Sequence, residues 1–288
     1  MFARLFRPSV AAAGAAAAYL GLRQEHAQAQ PQHRPLAGRS ALVTGSTSGV
    51  GLSVAEALAS AGCNVAINGF GSPSEIQALE RSLVQRYGVK VTHVSADLSK
   101  PEQCRQVVQN AEAQMGAPMD ILVNNAGIQH VSPLATFPEE RWDAVIAINL
   151  SAAFHTSKAC LPGMVERGFG RIINIASAHG KVASANKAAY VASKHGVVGL
   201  TKVTALEAAG TGVTANTICP GWLLTPLVVK QIEAVRLPAR LHHHRPASFA
   251  CVPCTRFSTL DALREYSHAD MRAMHDVYWR SCACSAPR

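Results

Sequence analysis

Short apolar runs at residues 41–44, 65–67, 91–95, 121–123, 172–176 and 213–218 alternate with longer stretches whose apolar positions recur at helical spacing. A run that is apolar throughout has no face suited to water, so each such strand must be covered on both sides. Strands that alternate with helices form a parallel sheet between two helical layers. The pattern predicts an α/β fold, a doubly wound parallel sheet of Rossmann type, in a single domain over residues 37–236. Gly62 and Gly88 stand where the first two helices should stop. No repeat or low-complexity linker divides this stretch.

The flanks differ from the middle. The formal charge of +9 is concentrated at the ends: four Arg and one Glu in residues 1–36 give +3, and seven Arg against four acids in residues 237–288 give another +3. The remaining 200 residues are nearly balanced and carry no basic stripe interleaved with aromatics, which argues against nucleic-acid binding. Residues 1–36, with Arg4, Arg7 and Arg23, an Ala-rich middle and no acid before Glu25, read as a targeting segment of the mitochondrial transit type. Secretory or cytoplasmic alternatives stay open. The apolar stretch of this leader is broken by polar and Gly positions, so no stable membrane span is expected. Cys63, Cys104, Cys160 and Cys219 sit singly among apolar neighbours, as reduced buried thiols do.

Directly after the first strand comes Thr44-Gly45-Ser46-Thr47-Ser48-Gly49-Val50-Gly51, with a helix expected from about Leu52. Glycines let a strand-to-helix turn approach a pyrophosphate closely, and the N–H groups of the helix start favour its negative charge. The cofactor-binding set in this turn is Gly45, Thr47, Ser48, Gly49, Val50 and Gly51. The second strand ends in Asn68-Gly69-Phe70-Gly71. No acid stands there for a ribose 2'-hydroxyl, and no cation there or at 46–48 for a 2'-phosphate, so NAD is favoured over NADP. Asp97, after the third strand, is suited to accept a bond from the adenine amino group; its ordinary alternative is a helix cap near Pro101. Asn124-Asn125-Ala126-Gly127 lets backbone approach the cofactor after the fourth strand.

The run Tyr190-Val191-Ala192-Ser193-Lys194 places a phenol and an ammonium four residues apart on one helical face. A phenol of pKa about 10 is a poor base near neutrality unless a nearby cation favours the phenolate. Ser177, at the end of the fifth strand, is placed to hydrogen-bond the reacting oxygen. Taken singly, these residues read more readily as a solvated helical face, for Tyr190 and Lys194, and a helix cap, for Ser177.

Together the glycine turn, Asn-Asn-Ala-Gly, Asn149, Ser177 and Tyr-x-x-x-Lys resemble the short-chain dehydrogenase/reductase family over residues 37–236. The resemblance implies Tyr190 as general acid/base and Lys194 lowering its pKa and holding the nicotinamide ribose. It gives Ser177 the task of orienting substrate, and Asn149 that of anchoring a proton-relay water. It also sets Phe70, Asp97, Leu98, Asn125, Ala126, Gly127, Tyr190, Lys194, Pro220, Gly221 and Thr225 against the cofactor. A homo-oligomer, specifically a tetramer, is implied.

The residues around that centre are similar to those of the branch of the family that oxidises 3-hydroxybutyrate. On that likeness Gln129, His179, Lys187 and Gln231 hold the substrate carboxylate, and Trp222 walls its methyl group. Charge-assisted bonds to a carboxylate are strong and directional, so such a clamp selects a short 3-hydroxy acid. The expected reaction is NAD-dependent oxidation of (R)-3-hydroxybutyrate to acetoacetate and its reverse. A 3-oxoacyl-type reductase shares the catalytic residues but not the clamp, and a non-catalytic NAD-binding or oligomerising form is a second alternative. The likeness stops after Arg236, so the sheet is expected to lack its last strand, and residues 237–288 read as a poorly ordered tail. The tail holds His242-His243-His244, Cys251-x-x-Cys254 and Cys282-x-Cys284, whose spacing is weakly specific for zinc, and no metal is assigned.

Overall fold

Strands β1 (Ser40–Val43), β2 (Asn64–Ile67), β3 (Val91–His93), β4 (Ile121–Asn124), β5 (Gly170–Ile175) and β6 (Val213–Ile218) form one sheet in the order β3-β2-β1-β4-β5-β6. All neighbouring pairs are parallel, with Ala41 opposite both Val65 and Ile121 and Asn124 opposite Asn174. The computed structural model describes residues 34–221, which belong to the first of two units, Met1–Pro226 and Leu227–Arg288. The leader up to residue 33, Trp222, Thr225, Gln231, the tail and the expected loss of a last strand lie outside the described residues.

Period-two alternation sends the strand side chains to two separate cores. Leu42, Ala66, Leu122 and Ile172 enter one, with residues of α3 (Pro101–Met115) and α5 (Ala152–Glu166). Ala41, Val43, Val65, Ile67, Ile121 and Val123 enter the other, with residues of α1 (Gly49–Ser60) and α2 (Pro73–Tyr87). Both faces of the inner strands are therefore dry, as their unbroken apolar sequences require. Each fully buried Leu, Ile or Val contributes about 1.5–3 kcal/mol relative to exposure.

The strand bounds shift slightly from those expected. β6 coincides, β5 starts two residues earlier at Gly170, and β3 stops two residues short at His93. Gly62 and Gly88 do end the first two helices, both in left-handed conformation, at φ 91° and 62°. Helices α4 (Glu139–Ile146) and α5 are joined by a π-helical turn, Ala147–Ser151, into one rod, Glu139–Glu166. Among the described residues this rod alone is long and apolar enough to cross a membrane. Ala152, Thr156, Cys160 and Met164 are buried along it, so one of its faces packs on the core of the domain. The last described helix is α6 (Ala188–Glu207).

Candidate active site

The order reverses between β1 and β4, where the crossovers leave opposite faces of the sheet and open a crevice at the strand C-termini. The glycine turn lies there. Helix α1 begins at Gly49, three residues before the expected start, so Gly49, Val50 and Gly51 make up its first turn. Ser48 makes no side-chain capping bond, which leaves those N–H groups available to an anion. A Cβ on Gly51 would lie 2.2 Å from the Gly45 carbonyl oxygen and 2.4 Å from Asn125 Nδ2, and one on Gly45 2.8 Å from Ala126 Cα. The two glycines let the β1 turn and the Asn125-Ala126 loop touch, forming one backbone cradle. Gly49, at φ 58°, has open space beside it and is required by conformation instead.

Two residues outside the expected set hold this cradle. Ser46 is fully buried, its Oγ donating to the Val43 carbonyl at 2.6 Å and accepting from the Asn68 N–H at 3.0 Å. Asn68 accepts from the Gly45 N–H at 3.4 Å and donates to the Val94 carbonyl at 2.9 Å, so it joins the ends of β1, β2 and β3. Thr47 Oγ1 donates to the Phe70 carbonyl at 3.0 Å, and Phe70 is 80% exposed. Asp97 accepts from the N–H and hydroxyl of Ser99, which hold its carboxyl below the usual range, and it pairs with Lys100 at 3.6 Å. It does not cap α3; the residue at that position is Lys100.

A buried polar string runs behind the crevice. Thr156 Oγ1 donates to Asn124 Oδ1 at 2.7 Å, Asn124 Nδ2 to Asn174 Oδ1 at 2.8 Å, and Asn174 Nδ2 to Thr201 Oγ1 at 2.8 Å. Asparagines in otherwise apolar strands were the signal for it. Their satisfaction depends on a register that sequence does not display.

Ser177, Tyr190 and Lys194 come together at the end of β5. Tyr190 and Lys194 do not form a solvated face: Lys194 is 4% exposed, with Nζ donating to the Ile175 carbonyl at 2.8 Å and lying 5.7 Å from the Tyr190 ring centroid. Burial pushes the Lys194 ammonium down to about 8. Tyr190 departs from expectation, because burial raises its pKa and only the Ser177 hydrogen bond opposes this. Removing solvent from a phenolate is costly, and the Lys194 ammonium is directed at a backbone carbonyl. Ser177 also caps the short 3-10 turn Ala178–Gly180, accepting from the His179 N–H at 3.2 Å, so the same hydroxyl caps the turn and bonds Tyr190.

Asn149 sits in the π turn, 3% exposed, and its amide is committed to protein partners. It accepts from the Ile128 N–H at 2.8 Å, and donates to the Ile128 carbonyl at 2.9 Å and to Ser193 Oγ at 3.2 Å. It thus fixes the loop on which Gln129 follows. His179 lies edge-on to Tyr190, ring centroids 5.9 Å apart, with Nε2 2.6 Å from Ser184 Oγ. Burial, then the charges of Lys187 and His195, push it down to about 4, so it is neutral near pH 7. Lys187 is 4% exposed and lowered by burial; it is the N-cap of α6, one step before the helix rather than on its face. Pro220, whose carbonyl accepts from the Ala178 N–H at 2.8 Å, brings the last described residues, through Gly221, to the same edge.

A nucleotide cradle at the switch point, with Ser, Tyr and Lys at the next strand end, defines a dehydrogenase of the short-chain type. The family model described as short chain dehydrogenase matches residues 39–236, and the chain belongs to that family of oxidoreductases. It is 58% identical over 199 residues to D-beta-hydroxybutyrate dehydrogenase of Cupriavidus necator, covering 69% of this chain and 76% of that one. It is 52% identical over 194 residues to the protein of the same name from Rhizobium meliloti, covering 67% and 75%. A putative short-chain alcohol dehydrogenase from Sinorhizobium meliloti is similar in structure, with a TM-score of 0.65 and 33% identity over 71% of this chain and 80% of that one. These are bacterial proteins, and a mitochondrial transit role for the leader finds no support among them.

Proposed function

We propose that the protein oxidises (R)-3-hydroxybutyrate to acetoacetate with NAD and catalyses the reverse reaction. The observation that carries this is buried Lys187 whose charge acts on His179, with His179 itself against Tyr190 and Ser177, in a chain 58% identical to a D-beta-hydroxybutyrate dehydrogenase. A buried ammonium three residues before the reacting phenol provides a charge-assisted bond to a carboxylate, and neutral His179 adds a hydrogen bond. Gln129 lies on the loop held by Asn149, and Gln231 and Trp222 belong to the same proposal. A reductase for long acyl chains has no use for a buried cation at this point, and a non-catalytic form has none for Tyr190 and Lys194.

The cradle of Gly45, Gly51, Asn125 and Ala126, which a Cβ would fill, fits a pyrophosphate, and NAD is favoured because no cation stands at 46–48 or 68–71. NAD, when bound, supplies the hydride acceptor. Tyr190 phenolate takes the proton of the substrate hydroxyl, and Ser177 hydrogen-bonds the same oxygen, favouring the charge that develops there. Lys194 would hold the nicotinamide ribose, and the Ser177 hydrogen bond opposes the burial of the phenolate. The resemblance further favours a homotetramer, checked by sedimentation equilibrium, and the bacterial relatives favour the cytoplasm as compartment.

The test is the rise of NADH absorbance on adding 3-hydroxybutyrate to the full chain with NAD. Tyr190→Phe should lower kcat by about 10²–10⁴-fold with NAD affinity retained. Wild-type protein with no 3-hydroxybutyrate-dependent signal would reject the substrate.

A further inference from the structure

Two loops at the mouth of the site carry the proposed carboxylate ligands, and one residue ties them. Asn186, at φ 64°, is the single non-glycine residue in the left-handed region among those described. It is exposed, and the next residue, Lys187, is buried and opens α6. The turn of the chain at Asn186 therefore carries it inward at the proposed clamp cation.

The Asn186 carbonyl also accepts from the Ser132 N–H at 2.9 Å, across the mouth of the site. Ser132 belongs to the loop after β4, which is pinned at its start where Asn149 bonds both backbone groups of Ile128. Gln129 lies between the two pins. The loop bearing Gln129 is thus held by Asn149 at one end and Asn186 at the other, and Asn186 is covalently joined to Lys187.

We propose that Asn186 is a positioning residue for the carboxylate end of the substrate. Its left-handed backbone aims Lys187 inward, and its carbonyl latches the Gln129 loop to the Lys187 loop. This rests on the substrate reading above. Asn is suited to the position because its short polar side chain tolerates the left-handed region, and unlike Gly it restricts the alternatives open to the loop. A β-branched residue disfavours that conformation. The clamp-competent loop then becomes a minor state, and apparent affinity falls by its population.

In the full chain with saturating NAD, Asn186→Val should raise KM for 3-hydroxybutyrate about five- to thirty-fold, the factor that matches the left-handed penalty. The value of kcat should change less than about threefold, and KM for NAD should stay as in wild type, because the glycine cradle is untouched. Asn186→Gly, which keeps the conformation without strain, should restore KM to within about threefold of wild type. Acetate has a carboxylate but no hydroxyl to oxidise; its dissociation constant, measured calorimetrically with NAD present, should rise in parallel in Asn186→Val. Asn186→Ala imposes a smaller penalty and replaces the Val variant if that fails to fold.

A Val or Ala variant with wild-type KM and wild-type acetate affinity overturns the latch. So does an Asn186→Gly variant as impaired as Asn186→Val, because the side chain and not the backbone would then matter. A purely structural role would lower thermal stability and leave both constants unchanged. Failure of the wild type itself to oxidise 3-hydroxybutyrate or bind acetate overturns the substrate reading and this inference with it, an outcome distinct from a variant that matches an active wild type.

Discussion

Lys194 is held as an ammonium in a site that disfavours it, and the consequence is measurable without substrate. Burial lowers its pKa from 10.5 to about 8, with Nζ bonded to the Ile175 carbonyl. The folded state thus binds the proton less tightly than the unfolded chain. Between pH 8 and 10.5 the unfolded state carries more protons, so stability rises with pH. The cost of the buried charge is present in full below pH 8 and disappears as pH approaches the unfolded value. Integrating the linkage between pH 7 and pH 10 gives wild type a gain of about 2.5 kcal/mol relative to a variant without the titrating group. Lys194→Met supplies the comparison, being apolar and of similar length. Urea unfolding of both proteins, without cofactor, at several pH values over that range yields the stability difference at each pH, and groups that titrate alike in both cancel. Turnover of Lys194→Met should be lost. Two stability curves that stay parallel from pH 7 to pH 10 would show that the ammonium is well solvated, and the desolvation argument would fall.

Other substitutions address the cradle and the string behind it. Gly51→Ala sets a methyl group 2.2 Å from the Gly45 carbonyl oxygen, so the β1 turn must move away from the Asn125-Ala126 loop. Its NAD dissociation constant, from quenching of protein fluorescence, should rise at least about tenfold, equivalent to about 1.4 kcal/mol. Asn174→Leu removes one of two partners from each of Asn124 Nδ2 and Thr201 Oγ1, which keep Ser157 Oγ and the Val197 carbonyl, and should destabilise the fold by about 1–3 kcal/mol in urea. Asn174→Asp keeps an acceptor for Asn124 but removes the donor to Thr201, at the further cost of a buried charge. It should therefore unfold earlier at pH 8 than at pH 4, where its carboxyl regains a proton.

Local features of the molecule were legible from the chain. Unbroken apolar runs require cover on both faces, and the two cores supply it. Gly62 and Gly88 end helices because their φ is positive, and the spacing of Tyr190 and Lys194 puts them on one face of any helix. The glycine turn announced an anion site through its own backbone requirements. What escaped were partners far apart in sequence. Asn68 and Ser46 tie the cradle together across 22 residues, and Asn124 meets Asn174 across 50. Such pairs depend on strand order and register, which apolar periodicity leaves open. The side-chain bonds of Asn149 to the Ile128 backbone likewise span 21 residues, and the π turn that carries it has no signature in composition.

Sequence by itself determined the parallel α/β layering, the place of the glycine turn at a strand end, and the spacing of Tyr190 and Lys194 on one helix, because each rests on short-range geometry. Tertiary structure alone decided the state of those groups. Tyr190 is raised and Lys194 lowered because packing excludes water from both, and His179 is neutral because its ring is enclosed beside Lys187. Asn186 stands in the left-handed region with its carbonyl bonded to a loop 54 residues away. Burial and long-range hydrogen bonds set proton affinity and aim, and neither exists until the chain has closed on itself.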